Sequence, residues 1–283
     1  MLKRGSPITC WGACRSIFSY SRPFIRHYAN DANAKKKKTP SIDISQIPLK
    51  HIGVVADLYI PPKYSQSPIR TWPRLFARRV GLFAVNTYSV VKFKRETSLK
   101  LKFNDWKEHA MEQYVALNKI FALSCAIPRE KREEYLRSRL EGIAGNEALR
   151  SIIRRAWNFP ANTSLSWELV AVEKDPKVVC FNSLPDSNNI TALVQFVLKV
   201  KTKERFSVSK VDENKKESER SSEHNLVYSL NPFTNELLLV GSLFDADYNR
   251  GLLPQVDFTN PQALLRFQQA TADVFRSEKL NAE

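Results

Sequence analysis

The chain has 283 residues, with 44 Lys and Arg against 29 Asp and Glu, a net charge of +15, 43% hydrophobic residues and 8 glycines. It is long enough to bury a sizeable core and too apolar to be disordered throughout. Its longest windows free of charge, such as Val80–Val91, span 12 residues, short of the ~20 that a membrane-spanning helix needs.

The charge is unevenly placed. Residues 1–28 carry +5, 29–64 carry +3, 65–102 carry +8, 103–128 carry −1, 129–157 carry +3, and the remainder carries −3. The first half is therefore expected to face something anionic, such as nucleic acid or lipid headgroups. The four cysteines, Cys10, Cys14, Cys125 and Cys180, form no CxxC pair. That supports neither a zinc ribbon nor a disulfide framework, and it fits a reducing or matrix-like compartment.

Met1–Tyr28 interleaves Lys3, Arg4, Arg15, Arg22 and Arg26 with apolar residues and serines and holds no acid, the composition of a mitochondrial transit peptide. Arg26-His27-Tyr28-Ala29 resembles a matrix processing site cut between Tyr28 and Ala29. Amino-terminal sequencing of the native protein is expected to start at Ala29; a retained Met1 would refute the assignment. Residues 29–48, with the run Lys35, Lys36, Lys37 and Lys38, read as a basic flexible linker, either a plain tether or an arm gripping an anionic surface. Residues 49–283 read as one α+β domain.

An extended stretch, His51–Tyr59, leads to Pro61-Pro62. From Arg70 the pattern is helical. Trp72, Phe76, Val80, Phe83, Thr87 and Val90 recur at spacings of three and four as one apolar stripe. Arg70, Arg74, Arg78 and Lys92 fall opposite, and Lys94, Arg95, Lys100 and Lys102 follow. Such a helix reads as a membrane-surface segment or an RNA-contacting face, with a solvated cationic face as the plain alternative. Asn104 is the expected cap of a second helix whose stripe Trp106, Ala110, Tyr114, Leu117 and Phe121 is core. A third helix is expected over about Pro128–Glu141 and a fourth over Asn146–Trp157. The fourth shows Arg150, Arg154 and Arg155, the first two at i,i+4 without acidic compensation.

After Pro160 the period changes to two. Strands are expected at 164–171, Lys177–Phe181, Ile190–Lys203, Arg205–Val211, Asn225–Leu230 and Glu236–Leu243. The polar run Asp212–Glu223 is expected to be a disordered hairpin tip or excursion between two strands. Asn260-Pro261 opens a last helix to about Glu278. Helices, then antiparallel strands, then a closing helix describe an α+β fold with a curved sheet.

No Gly-rich phosphate loop, GxSxG, HExxH or paired CxxC occurs, and no metal, cofactor or catalytic residue is expected. A small-molecule enzyme on a helix-and-sheet cone would need an acid in an apolar cavity. Leu165, Trp167, Leu169 and Ala171 form the row expected to line it, and Glu168, Glu173, Asp186 and Glu204 are read as outside that row.

Several ordered segments carry a resemblance: His51-Ile52-Gly53-Val54, Leu58-Tyr59-Ile60-Pro61-Pro62-Lys63-Tyr64, Trp106-Lys107, Asn162-Thr163-Ser164-Leu165-Ser166-Trp167-Glu168-Leu169 and Gly241-Ser242-Leu243-Phe244. Together, over about residues 51–250, the chain resembles the fungal mitochondrial inner-membrane ribosome receptors. Those are related to the mitoribosomal large-subunit protein forty-five and to the membrane-binding domain of the import-motor tether. The resemblance implies a nuclear-transport-factor-like cone and a peripheral protein on the matrix side of the inner membrane. It implies docking of the mitoribosome tunnel exit, through ribosomal RNA and exit proteins, beside the Oxa insertase for insertion of respiratory-chain subunits. The alternative is a constitutive large-subunit ribosomal protein.

On that footing the candidate lipid contacts are Arg70, Trp72, Arg74, Phe76, Arg78, Arg79, Phe83, Lys92, Lys94 and Arg95. The candidate ribosome contacts are Lys35, Lys36, Lys37, Lys38, Lys100, Lys102, Arg129, Lys131, Arg132, Arg150, Arg154 and Arg155. Charge alone leaves the two assignments interchangeable.

Overall fold

The computed structural model describes residues 44–160, 163–210, 216–257 and 260–276, all within one compact unit, Ser41–Glu283. The transit segment, its Tyr28-Ala29 junction and Lys35–Lys38 lie outside the described residues. The main elements are α1 (Trp72–Thr97), α2 (Phe103–Ala126), α3 (Arg129–Leu140), α4 (Asn146–Asn158), β1 (Thr163–Pro185), β2 (Thr191–Lys210), β3 (Lys216–Asn231), β4 (Glu236–Leu243) and α5 (Pro261–Thr271). The strands form one antiparallel sheet in the order β1-β2-β3-β4, so the fold is α+β, as expected.

The strands are fewer and longer than the sequence suggests. β1 absorbs two expected strands, because bulges between Leu169 and Ala171, Val172 and Lys174, and Val178 and Cys180 reset its alternation without ending its pairing with β2. Pro176 is tolerated because β1 is an edge strand. The polar run expected to be a disordered tip is, from Lys216 to Glu223, part of β3 and paired with β2 from Val208 to Lys201. Cross-strand ion pairs replace apolar burial there: Glu219 takes Lys203 at 2.8 Å and Arg205 at 2.7 Å, Arg205 reaches Glu168 at 3.0 Å, and Lys201 meets Glu173 at 2.6 Å. The hydrogen bonds from Lys203 and Lys201 hold the Glu219 and Glu173 carboxyls below their ordinary range.

The central strands are covered on both faces, which explains their near-continuous apolar runs. Phe196, Leu198, Val200, Leu226, Tyr228 and Leu239 face the α2 stripe of Trp106, Ala110, Tyr114, Leu117 and Phe121, together with residues of α3 and α4. Val197, Val227 and Val240 face Val54, Ile60 and Phe267 of α5. Leu49, Ile52, Ile44 and Ile47 cover Leu193 and Leu238. Gln195, fully buried on this second face, fastens the incoming chain. Its Nε2 donates to Gly53 O at 2.7 Å, and its Oε1 accepts from Val55 N at 3.0 Å.

Two helix boundaries differ from expectation. α2 starts at Phe103 with no side-chain cap, and Asn104 lies inside it; Phe103 packs edge-on against Trp106 and Phe181, each at 5.5 Å. α5 is capped by Asn260 Oδ1 as expected but ends at Thr271. Beyond it a turn, in which Asp273 Oδ1 accepts from Phe275 N at 3.1 Å, delivers Phe275 to the Phe121 ring at 4.7 Å. Gly241 allows this close approach, since a Cβ there would lie 2.4 Å from Thr271 O. Cys125 and Cys180 are buried free thiols, pushed up by burial to about 11 and about 12.

Candidate functional site on the first helix

α1 has a start fixed by aromatic and proline chemistry. Pro73 occupies the first turn, where its missing N–H costs nothing. Trp72 packs edge-on against Tyr64 at 5.5 Å, and the Arg79 guanidinium lies 4.4 Å over the Tyr64 ring. The helix ends at Ser98, in the left-handed conformation, whose N–H donates to Lys94 O.

Its orientation decides which of its stripes lies inside. The face turned to the protein carries Leu75, Leu82, Asn86, Ser89 and Phe93. Asn86 decides it: Nδ2 donates to Val179 O at 2.7 Å and Oδ1 accepts from Phe181 N at 3.1 Å, so one amide pairs with the free edge of β1. Glu96 repeats the device at the far end, accepting from Thr191 N at 2.8 Å and Thr191 Oγ1 at 2.6 Å. The aromatic stripe is therefore largely outside, with Val90 alone of its residues half-buried against the core. Phe83 is 72% exposed and Phe76 64%; Trp72, Val80, Tyr88 and Val91 are exposed with them. From Val80 to Val91 no residue of the helix is charged. Gly81 lets the loop after β4 abut the helix, since a Cβ there would lie 2.6 Å from Leu252 Cδ1. Leu253, the next residue on that loop, is 81% exposed.

The candidate cations divide into two groups. Arg70, Arg74, Lys94 and Arg95 are exposed and bracket the apolar face at both ends. Three others are engaged inside the fold. Arg78 Nη1 donates to Tyr248 O at 2.6 Å and Nη2 to Asn249 O at 3.3 Å; Arg79 donates to Pro62 O at 2.7 Å; Lys92 lies 3.8 Å from Glu96. An exposed apolar helix face between exposed cations is the composition of an interfacial segment. No helix among the described residues is long and apolar enough to cross a membrane. Among the described residues no group of three His, Cys, Asp or Glu side chains is placed to hold a metal.

A family model described as MBA1-like protein matches residues 38–280. This chain belongs to the MBA1-like family. It is similar to the inner membrane mitoribosome receptor MBA1, mitochondrial, of Saccharomyces cerevisiae, at 26% identity over 270 residues that cover 93% of this chain and 91% of that one.

In this MBA1-like chain the second set of candidate cations is also divided. Lys100, Lys102, Lys131, Arg150 and Arg154 are exposed. Arg150 is compensated after all, by Glu147 at 2.7 Å, and Arg155 pairs with Asp273 at 2.6 Å. Arg129 donates from Nε and Nη2 to Trp157 O. Arg132 is 2% exposed. Its guanidinium donates to Cys125 O at 2.9 Å, Ile127 O at 2.9 Å, Ala156 O at 2.7 Å and Phe159 O at 3.0 Å. It thereby closes the carboxyl ends of α2 and α4, where backbone carbonyls lack helical partners.

Sequence reasoning missed Glu204. The register sets Glu204 opposite Leu169 and Phe206 opposite Trp167, which puts the acid in the inward row. The missed signal is phase: Phe196, Leu198, Val200, Thr202, Glu204 and Phe206 alternate as one face of β2.

Proposed function

We propose that this protein is a mitoribosome receptor, peripheral on the matrix side of the mitochondrial inner membrane. It holds the large-subunit tunnel exit near the membrane, beside the Oxa insertase, for co-translational insertion of respiratory-chain subunits. It is a docking protein and not an enzyme. The observation that carries the reading is the outward face of α1, apolar between cationic ends, in a chain of the MBA1-like family. Trp72, Phe76, Val80 and Phe83 enter the headgroup region, and Arg70, Arg74, Lys94 and Arg95 take anionic lipid, each contributing about 1 kcal/mol near the surface.

Ribosomal RNA phosphates meet Lys100, Lys102, Lys131, Arg150 and Arg154, joined by Lys35–Lys38 beyond the described residues. α1 is fastened to β1 through Asn86, and α4 packs against β4. Arg150 and Arg154 on α4 thus lie by the β4 edge, away from α1 at the β1 edge, whereas Lys100 and Lys102 directly follow α1. Because phosphate contacts release counterions, ribosome binding falls steeply with salt.

Mitochondria fractionated at stepped salt test this. The protein is expected to divide between ribosome and membrane fractions at low salt and to leave the ribosome as salt rises. Stoichiometric retention on the large subunit through high salt would overturn it in favour of a constitutive ribosomal protein.

A further inference from the structure

Between α2, the inner face of β2 and β3, and the chain after α5 lies a cavity of about 310 Å³. Tyr114, Glu204, Phe206, Arg220, His224 and Phe275 line it. Glu204 is 1% exposed. Its Oε1 accepts from Tyr114 Oη at 2.7 Å and from Thr202 Oγ1 at 2.8 Å, and no donor among the described residues reaches Oε2. Burial, and then the Glu204 charge, hold the Tyr114 hydroxyl protonated far above its ordinary range.

Among the described residues this carboxylate has no Lys or Arg ion-pair partner; the basic atom within 4 Å of it is His224 Nε2, at 3.8 Å from Oε1. Burial lowers the His224 pKa against the opposing pull of the Glu204 charge, and its buried Nε2 has no hydrogen-bond partner among the described residues. Other sheltered acids are matched: Glu223 by Lys63 and Lys199, Asp57 by Arg250, Asp273 by Arg155. Arg220 stands across the strand pair from Glu204. Its guanidinium, however, lies 4.8 Å over the Phe206 ring and its Nε donates to Ser222 Oγ at 2.9 Å. A buried carboxylate facing an open cavity is stable only when a cation or several donors complete it.

We propose that this cavity binds a small organic cation, an alkylammonium or alkylguanidinium. Its charged end pairs with Glu204 and donates to His224 Nε2, and its stem lies among the rings of Tyr114, Phe206 and Phe275. Ammonium and guanidinium groups supply several N–H donors and no acceptor, which suits two acceptors side by side, and aromatic walls attract cations. The site is independent of the α1 face and of the receptor reading.

Agmatine, titrated into the full chain carrying isotope-labelled histidine, is the probe. The His224 resonance, assigned by its loss in His224→Gln, is expected to move saturably with agmatine and to stay fixed with pentanoate. Glu204→Gln keeps the acceptor for Tyr114 and Thr202 while removing the charge, and is expected to weaken agmatine at least tenfold. An unmoved His224 resonance, an equal response to pentanoate, or unchanged affinity in Glu204→Gln would overturn the proposal. If Glu204→Gln fails to fold, the comparison of agmatine with pentanoate on the unmodified chain decides alone.

Discussion

Arg132→Met is expected to cost the domain at least about 4 kcal/mol, a large part of the ~5–15 kcal/mol that stabilises a typical fold. Methionine keeps most of the volume, so the effect is one of hydrogen bonding. Four carbonyls, from Cys125, Ile127, Ala156 and Phe159, lose their donor together. Each buried group left unsatisfied costs about 1–3 kcal/mol, less what relaxation and water recover. At roughly 2–4 °C per kcal/mol for a domain of this size, the melting temperature should fall by roughly 8–16 °C. Arg132→Lys should recover little, because one ammonium cannot span four carbonyls that a planar guanidinium reaches. Arg129→Met, at an exposed position whose partner is the carbonyl of Trp157, serves as the mild control. Thermal and urea unfolding followed by circular dichroism measure all three. If Arg132→Met melted within 2 °C of the parent, the helix-end role of Arg132 would be refuted.

The second large effect concerns function with the fold intact. Phe76→Asp combined with Phe83→Asp should reduce partitioning onto cardiolipin-containing vesicles at least a hundredfold, about 2.7 kcal/mol. Each ring contributes up to ~1.5–3 kcal/mol if fully buried in the interface, and each new carboxylate adds about 1 kcal/mol of repulsion from anionic headgroups. Both positions point away from the protein, so the melting temperature should hold: exposed substitutions typically change stability by less than ~0.5 kcal/mol. Vesicle flotation beside a thermal melt separates the two quantities. Undiminished flotation of a folded double variant would sink the assignment of the α1 face to lipid. Arg78→Glu tests the face poorly, because Arg78 clamps the loop at Tyr248 and Asn249, and its loss would act through packing.

How far the sequence could be read is clearest element by element. α2 and α4 were legible because each has one apolar stripe: Trp106, Ala110, Tyr114, Leu117 and Phe121 lie inside, as do Leu149, Ile152, Ile153 and Ala156. α1 was legible as a helix but not in its facing. It has two apolar stripes, and periodicity alone leaves open which of them meets solvent. The deciding contact, Asn86 with Val179 and Phe181, joins residues more than ninety positions apart, which no local periodicity records.

β3 misled for a related reason. Lys216–Glu223 is wholly polar, and local composition cannot show that Lys203 and Arg205 on β2 stand opposite to pair with Glu219. Bulges in β1 broke the period-two signal at the point where one strand looked like two.

The amino-acid sequence by itself determined the class of the fold, the lack of a spanning helix among its apolar runs, the cationic first half and the family resemblance. These depend on composition, period and order along the chain. Tertiary structure alone decided which apolar stripe of α1 meets solvent. It also decided that Arg132 serves two helix ends inside the fold, and that Glu204 faces a cavity with no Lys or Arg of the described residues in ion-pair range. Each of those outcomes depends on where distant segments meet, because a side chain's charge or apolarity acts through the neighbour that the fold places against it.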